Sequence, residues 1–205
     1  LIGIEAYVHN GEQLDDKSTK QRFHLILIAK NETGYKNLMY LSSMSYIEGF
    51  YYYPRINKKI LKEHSEGLVC SSACLQGEVS WHLNLSERNV KFGAKGYERA
   101  KEVALEYKEI FGDDFYLEIM RHGIGDQRRI DDDILRIAKE TGIKVIATND
   151  THYTFKERAD AHEVFMCIAM NKTLDDPNRL RHSVHEFFVK SKEQMNELFL
   201  DIPEV

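Results

Sequence analysis

Hydrophobic residues along this chain come in short continuous runs, separated by longer stretches in which they recur every three or four positions. Five runs stand out, at residues 3–8, 23–30, 67–72, 115–120 and 144–150. Most are apolar without alternation, which is the pattern of strands covered on both faces, as in parallel sheets. Between them, residues 90–111 carry Ala94, Tyr97, Ala100, Val103, Ala104, Tyr107 and Ile110 at helical spacing, and Gly112 follows as a C-cap. Residues 126–141 repeat the pattern through Ile130, Ile134, Leu135 and Ile137 and stop at Gly142. Residues 191–200 read as another helix with acidic residues near its start. Strands alternating with helices predict an α/β fold of right-handed βαβ units. No repeat or low-complexity tract divides residues 1–180. The polar stretch 175–185 breaks the pattern, so 1–180 reads as one domain and 181–205 as a connector.

Composition narrows the function classes. With 205 residues, 42% of them hydrophobic, the chain can bury a core of ordinary size. A net charge of −5 argues against nonspecific coating of DNA, because phosphate neutralisation needs clustered Lys and Arg. It leaves room for a small phosphodiester site where metal ions supply the positive charge. Cys70, Cys74 and Cys167 provide no disulfide framework and fit a reducing cytoplasm. No apolar stretch approaches the ~20 residues of a membrane span. Leu1 stands where Met would, inside a run that already reads as a strand, so residues upstream are expected, as they are beyond Val205.

The sharpest chemical signal is Thr148-Asn149-Asp150-Thr151-His152-Tyr153, directly after an apolar run. Strand C-termini carry the active residues of α/β barrels. A carboxylate and an imidazole two positions apart are good ligands for Zn, Mn or Fe. The same residues also read as a strand-ending turn, with Asp150 capping the next helix and His152 on the surface. Glu5 interrupts the apolar run Gly-Ile-Glu-Ala-Tyr-Val, where a buried carboxylate needs a partner or a metal, unless it faces outward. His24 opens the second run and reads as a hydrogen-bonded core residue or a ligand. Cys74 sits just past the third run, four residues from Cys70, a spacing unlike structural zinc hooks. It suits a small apolar filler or one thiolate of a mixed cluster. Glu118, Arg121 and His122 surround another strand end, as phosphate-contacting or supporting groups or as a surface salt-bridge cluster. His9, His64, His82, His162, His182 and His185 carry no assigned role. Residues 49–55, Gly-Phe-Tyr-Tyr-Tyr-Pro-Arg, fit a nucleotide-stacking surface or a packed loop. No phosphate-binding glycine loop, dinucleotide fingerprint or nucleophile elbow is present.

The order of these blocks adds to what each says alone. Gly-Ile-Glu-Ala-Tyr at 3–7, the stretch 23–38, Cys-Leu-Gln-Gly-Glu-Val at 74–79, Tyr-Leu-Glu-Ile-Met-Arg-His-Gly at 116–123 and Ala-Thr-Asn-Asp-Thr-His-Tyr at 147–153 resemble successive blocks of the PHP domain of bacterial DNA polymerase III alpha subunits. Residues 191–199, with Ile-Pro-Glu after them, resemble the segment running toward the polymerase domains. The resemblance implies a distorted (β/α)7 TIM-like barrel, mostly parallel and here incomplete, whose upstream units would precede Leu1. It also implies a cluster of two or three divalent ions (Zn, Mn or Mg), with Glu5, His24, Cys74, Asp150 and His152 as five of its nine ligands. In the intact protein it implies a metal-dependent phosphoesterase within a DNA-directed DNA polymerase subunit, either a 3′–5′ exonuclease able to proofread or a related phosphoesterase. The partners implied are DNA and other replicase subunits, in the cytoplasm and without a membrane. This chain, lacking four ligands, is expected to be inactive by itself. The alternative is a non-catalytic module that supports the polymerase and docks a separate proofreading exonuclease. A free-standing phosphatase for a small metabolite is disfavoured by the alpha-subunit blocks after residue 150.

Overall fold

The computed structural model describes residues 1–202 and Val205. Pro203 and Glu204, part of the Ile-Pro-Glu block and of the expected connector, lie outside the described residues. Contacts divide the chain into two compact units. One comprises Leu1–Glu118 and Ile130–Ile146, the other Ile119–Arg129 and Ala147–Val205.

All five apolar runs form strands. They are β1 (Gly3–His9), β2 (Phe23–Ala29), β4 (Leu68–Ser71), β5 (Phe115–Met120) and β6 (Lys144–Thr148), and the two-residue β3 (Ile56–Asn57) joins them. The sheet order is β3-β1-β2-β4-β5-β6. The β1–β3 and β4–β5 pairs are parallel. β2 runs against its neighbours, antiparallel to both β1 and β4. The expectation of a βαβ unit between the first two runs is therefore corrected. Residues 10–22 carry turn-forming Asn10, Gly11, Asp15, Asp16 and Ser18 and no helical apolar period, so the chain returns directly. A direct return between neighbouring strands gives antiparallel pairing. The fold is thus mixed α/β with a mostly parallel six-stranded sheet. The sheet does not close into a barrel among the described residues. Among the described residues β3 forms one edge, pairing with Val8 and His9 of β1.

The helices follow local chemistry. α1 (Glu32–Ile47) starts at Asn31, whose side chain accepts the Gly34 N–H. A Cβ on Gly34 would lie 1.9 Å from the Gly67 carbonyl oxygen, so only glycine lets α1 approach the start of β4 this closely. After α2 (Lys58–Glu63) and α3 (Glu78–Leu83), the helix expected over 90–111 is two, α4 (Glu87–Lys91) and α5 (Tyr97–Phe111). Gly93 and Gly96, both at positive φ, break it. α5 turns Ala100, Val103, Ala104 and Tyr107 into the core, the face its sequence period selects. α6 (Gly125–Thr141) buries Ile130, Ile134 and Ile137. α7 (Ala159–Met170) and α8 (Lys192–Leu198) belong to the second unit. Ser191 and Gln194 form a capping box at the start of α8. Among the described residues no helix is long and apolar enough to cross a membrane.

Candidate metal centre

In the first unit the antiparallel return of β2 does the positioning. Tyr7 pairs with His24 and Glu5 with Ile26, so Glu5, Tyr7 and His24 share one face of the ladder. His24 lies at the start of its strand yet faces the strand that carries Glu5. The Glu5 carboxylate meets His24 Nδ1 in an ion-pair contact, and Cys74 Sγ lies 3.7 Å from that same nitrogen. Three elements that are distant in sequence thus bring a carboxylate, an imidazole and a thiol to one atom.

Cys74 is delivered there by a tight loop after β4. Ala73 adopts a positive φ of 58°. The Gly77 N–H returns to the Cys74 carbonyl at 2.8 Å, and the His24 N–H donates to the Gln76 carbonyl at 3.1 Å. A Cβ on Gly77 would sit 1.9 Å from the Ser72 carbonyl oxygen, so the loop requires glycine there. Glu118 holds the loop from β5. Its buried carboxylate accepts from Ser71 Oγ and from the Ala73 N–H, the latter at 2.9 Å. The Glu118 N–H donates to Ser72 Oγ at 2.9 Å. The two nearby cysteines differ in kind. Cys70 is fully buried within β4, and burial, reinforced by Glu118, pushes its thiol well above the ordinary value. Cys74 is partly exposed and stands in the loop.

In the second unit Asp150 and His152 follow β6. Asp150 takes a left-handed φ of 41°, a conformation uncommon for residues with a side chain. His152 Nδ1 lies 2.6 Å from the Asp150 carbonyl oxygen. A carbonyl only accepts, so Nδ1 is the nitrogen that donates here and Nε2 is the one left to face other partners. An Nδ1–H held by a carbonyl is the arrangement in which a histidine ligates through Nε2. The His152 N–H is fixed by the Phe187 carbonyl at 2.8 Å. His122 is buried behind the turn. Its Nε2–H donates to the Asn149 carbonyl at 2.8 Å while Nδ1 accepts from Gln127 Nε2 at 2.8 Å. Burial, its main influence, lowers the pKa of His122, so the ring is neutral near pH 7. Arg121 is committed elsewhere: its guanidinium meets both oxygens of Asp201 and donates to the Leu198 carbonyl at 2.6 Å. His162 and His182 also gather around His152, with ring centroids 5.6 Å and 5.0 Å away. Nothing in their local sequence signalled this, because α7 and the 175–185 loop supply them separately.

Carboxylate, imidazole and thiol together suit a divalent ion of intermediate softness such as Zn2+. The partial set around His24 fits such an ion in donor chemistry. As the side chains stand, no group of three or more His, Cys, Asp or Glu among the described residues is arranged so that it could hold a metal ion.

The PHP domain family profile matches residues 1–122. The chain belongs to the PHP domain family. PHP domains generally bind divalent metals. The chain is also 77% identical over all 205 residues to the DNA polymerase III subunit alpha of Campylobacter jejuni, and 66% identical to that of Helicobacter pylori. It is 41% identical over 202 residues to that of Thermus aquaticus. In the first two the match covers all of this chain and 17% of the relative, and in the third 97% and 16%. The PHP domain chain thus spans about a sixth of the length of the curated relatives it matches.

Proposed function

We propose that this chain is the PHP region of a replicative DNA polymerase III alpha subunit, and that its metal-binding residues serve a metal-dependent phosphoesterase, a 3′–5′ exonuclease acting on single-stranded DNA ends. The observation that carries the reading is the meeting of Glu5, His24 and Cys74 around one imidazole nitrogen in a PHP domain chain. Glu5, His24, Cys74, Asp150 and His152 are the ligands. DNA and the other replicase subunits are the partners, as the names of the relatives suggest. On this reading the open sheet is an arc of the distorted PHP barrel, and residues 181–205 lead toward the polymerase region.

A bound divalent ion supplies Lewis acidity toward a phosphodiester and toward water. The protein's part is to hold donors still. His152 offers Nε2 because its Nδ1 proton is engaged by Asp150. Asn149, next to Asp150, is pinned by neutral His122. Cys74 is aimed by the loop that Glu118 clasps, and Glu5 orients His24. Supporting hydrogen bonds of this kind tune ligand orientation and affinity.

The test uses the full-length alpha subunit that carries this chain. Its metal content and its EDTA-sensitive shortening of a 5′-labelled single-stranded oligonucleotide are compared with those of His24→Ala, Cys74→Ser and Asp150→Asn. Each variant should lose bound metal and at least about tenfold of the nuclease rate, the scale on which disturbed metal sites lose function. Metal-free protein that polymerises normally would instead establish the non-catalytic docking module. Nuclease activity unchanged in all three variants would overturn the ligand assignment.

A further inference from the structure

A line of tyrosines and cations on the first unit has no part in the metal centre, yet it abuts one of its residues. Tyr7 packs on His24 at 5.1 Å between ring centroids, and Tyr53 meets Tyr7 edge-on at 5.8 Å. The Arg22 guanidinium stands 3.8 Å over the Tyr53 ring and 5.3 Å from the Tyr7 ring. Lys20 Nζ stands 3.9 Å over Tyr52. Behind them, buried Arg55 braces the segment from which Lys20 and Arg22 project. It donates to the carbonyls of Thr19 and Asp16 and lies 5.2 Å from the Tyr51 ring.

This cluster does not behave like core. Tyr52 and Tyr53 are 60% and 42% exposed. Tyr52 also holds a positive φ of 61°. A bulky residue is strained there, by an amount on the order of 1–3 kcal/mol, and glycine or asparagine would not be. A tyrosine kept in a strained position where it buries little is not there for packing. The Nε of Arg22 is buried with no hydrogen-bond partner among the described residues, which leaves the guanidinium edge short of acceptors.

We propose that Tyr52, Tyr53, Arg22 and Lys20 form a platform for single-stranded nucleic acid, on which bases stack on the tyrosines while the two cations take phosphates, with Tyr7 leading the 3′ end toward His24. Exposed aromatic rings interleaved with cations are what sequence-independent binding of single strands requires. Each tyrosine has one face held by a cation, and the opposite face is the one that would accept any base. The net negative charge of the whole chain confines such binding to a local patch. A protein partner would also value Tyr and Arg, but cations standing directly over exposed rings pair a stacking face with a phosphate contact, which favours a single strand. The direction of the strand rests on the phosphoesterase reading above, whereas the platform does not.

The test is photocross-linking in the full-length alpha subunit that carries this chain. An oligothymidylate with 5-iododeoxyuridine near its 3′ end is irradiated with the protein in EDTA, where no hydrolysis occurs. Label should appear on the tryptic peptide spanning residues 37–55, at Tyr52 or Tyr53. Tyr53→Leu and Arg22→Gln should each lower that label about tenfold, the equivalent of one lost stacking contact. Tyr52→Asn relieves the backbone strain, so its melting temperature should not fall while its label does, which separates binding from misfolding. Label absent from residues 37–55, unchanged by the substitutions, or blocked because another subunit occupies the patch overturns the proposal. Label at Tyr53 in a protein without EDTA-sensitive nuclease activity keeps the platform and removes the phosphoesterase reading instead.

Discussion

The Glu118 carboxylate accepts the backbone N–H of Ala73 at 2.9 Å, tying the loop after β4 to β5 across 45 residues of chain. The same oxygen takes the Ser71 hydroxyl, so one buried acceptor fixes both sides of the turn that ends at Cys74. Replacing it by Leu leaves a buried N–H and hydroxyl without that acceptor, a loss of about 1–3 kcal/mol. Glu118→Leu should therefore speed hydrogen exchange of the amides at 71–77 and accelerate alkylation of Cys74, while Glu118→Gln does less of both. Exchange unchanged in Glu118→Leu would mean that the left-handed turn at Ala73 holds the loop without it.

A second buried carboxylate does structural work. Glu78, at the start of α3, has a fully buried side chain. It is met by Lys58 Nζ at 2.7 Å, Asn10 Nδ2 at 2.9 Å and Tyr107 Oη at 3.1 Å. Removing one member of such a group strands the others, a cost of about 3–5 kcal/mol. Glu78→Ala should lower the midpoint of urea unfolding sharply. Adding Lys58→Met should recover part of the loss, because the stranded cation is then gone. A double variant no better than Glu78→Ala would show that Lys58 is solvated well enough not to need its partner.

The sequence and the structure agree where one physical rule acts alone. All five apolar runs became strands, because apolar runs this short, bounded by turn signals, are too short to make helices. α5 and α6 buried the residues their period selected. Sequence pattern and structure part where tertiary or local chemistry intervenes. The direction of β2 depends on what residues 10–22 do, and a stretch without apolar period says only that it is not a helix. The split between α4 and α5 rests on Gly93 and Gly96, whose positive φ lies outside any hydrophobic pattern. In the candidate centre, residue types were legible but support was not. Nothing near Glu118 announces that its partners are 45 residues away, and Gln127 is anonymous until His122 leans on it. The alternation of tyrosine and cation was half visible, since 49–55 shows the rings while Lys20 and Arg22 come from another segment.

Two histidines make the first unit sensitive to acid. His9 Nδ1 accepts the Gly11 N–H at 3.1 Å, and His82 Nδ1 accepts the Lys95 N–H at 3.2 Å. Both rings are buried, and burial is the leading reason their pKa values fall below the ordinary 6.5; Arg55 adds to it at His9, while Glu78 opposes it at His82. In each case the folded state binds the proton less readily than the unfolded chain. Stability is therefore full above about pH 6.5 and declines as the pH falls below it. Protonation would also occupy the Nδ1 lone pair that receives the backbone. The melting temperature should drop between pH 7.5 and 5.5, and a His9→Asn/His82→Asn variant should flatten that dependence. Equal slopes in the two proteins would place the acid sensitivity elsewhere.

In the second unit Arg121 secures the end of α8. Its guanidinium takes both oxygens of Asp201 and also the Leu198 carbonyl, one of the terminal helix carbonyls that lack an intrahelical donor. It lies 4.9 Å from the Phe199 ring as well. Lysine cannot reproduce this fork of donors, so Arg121→Lys should resemble Arg121→Ala. Both should hasten proteolysis at residues 198–202. The hydrogen bond from Arg121 holds the Asp201 carboxyl down to about 2. The contribution of a depressed acid is present above its ordinary 3.8 and disappears as the pH falls through the folded value. The clamp should accordingly persist at pH 4 in the native protein. Because Arg121 is only 8% exposed at its side chain while Asp201 is 56% exposed, salt should weaken the pair only in part. Protection of 198–202 that vanishes at moderate salt, or that survives in Arg121→Ala, would show that packing of Phe199 and Ile202 holds this segment instead.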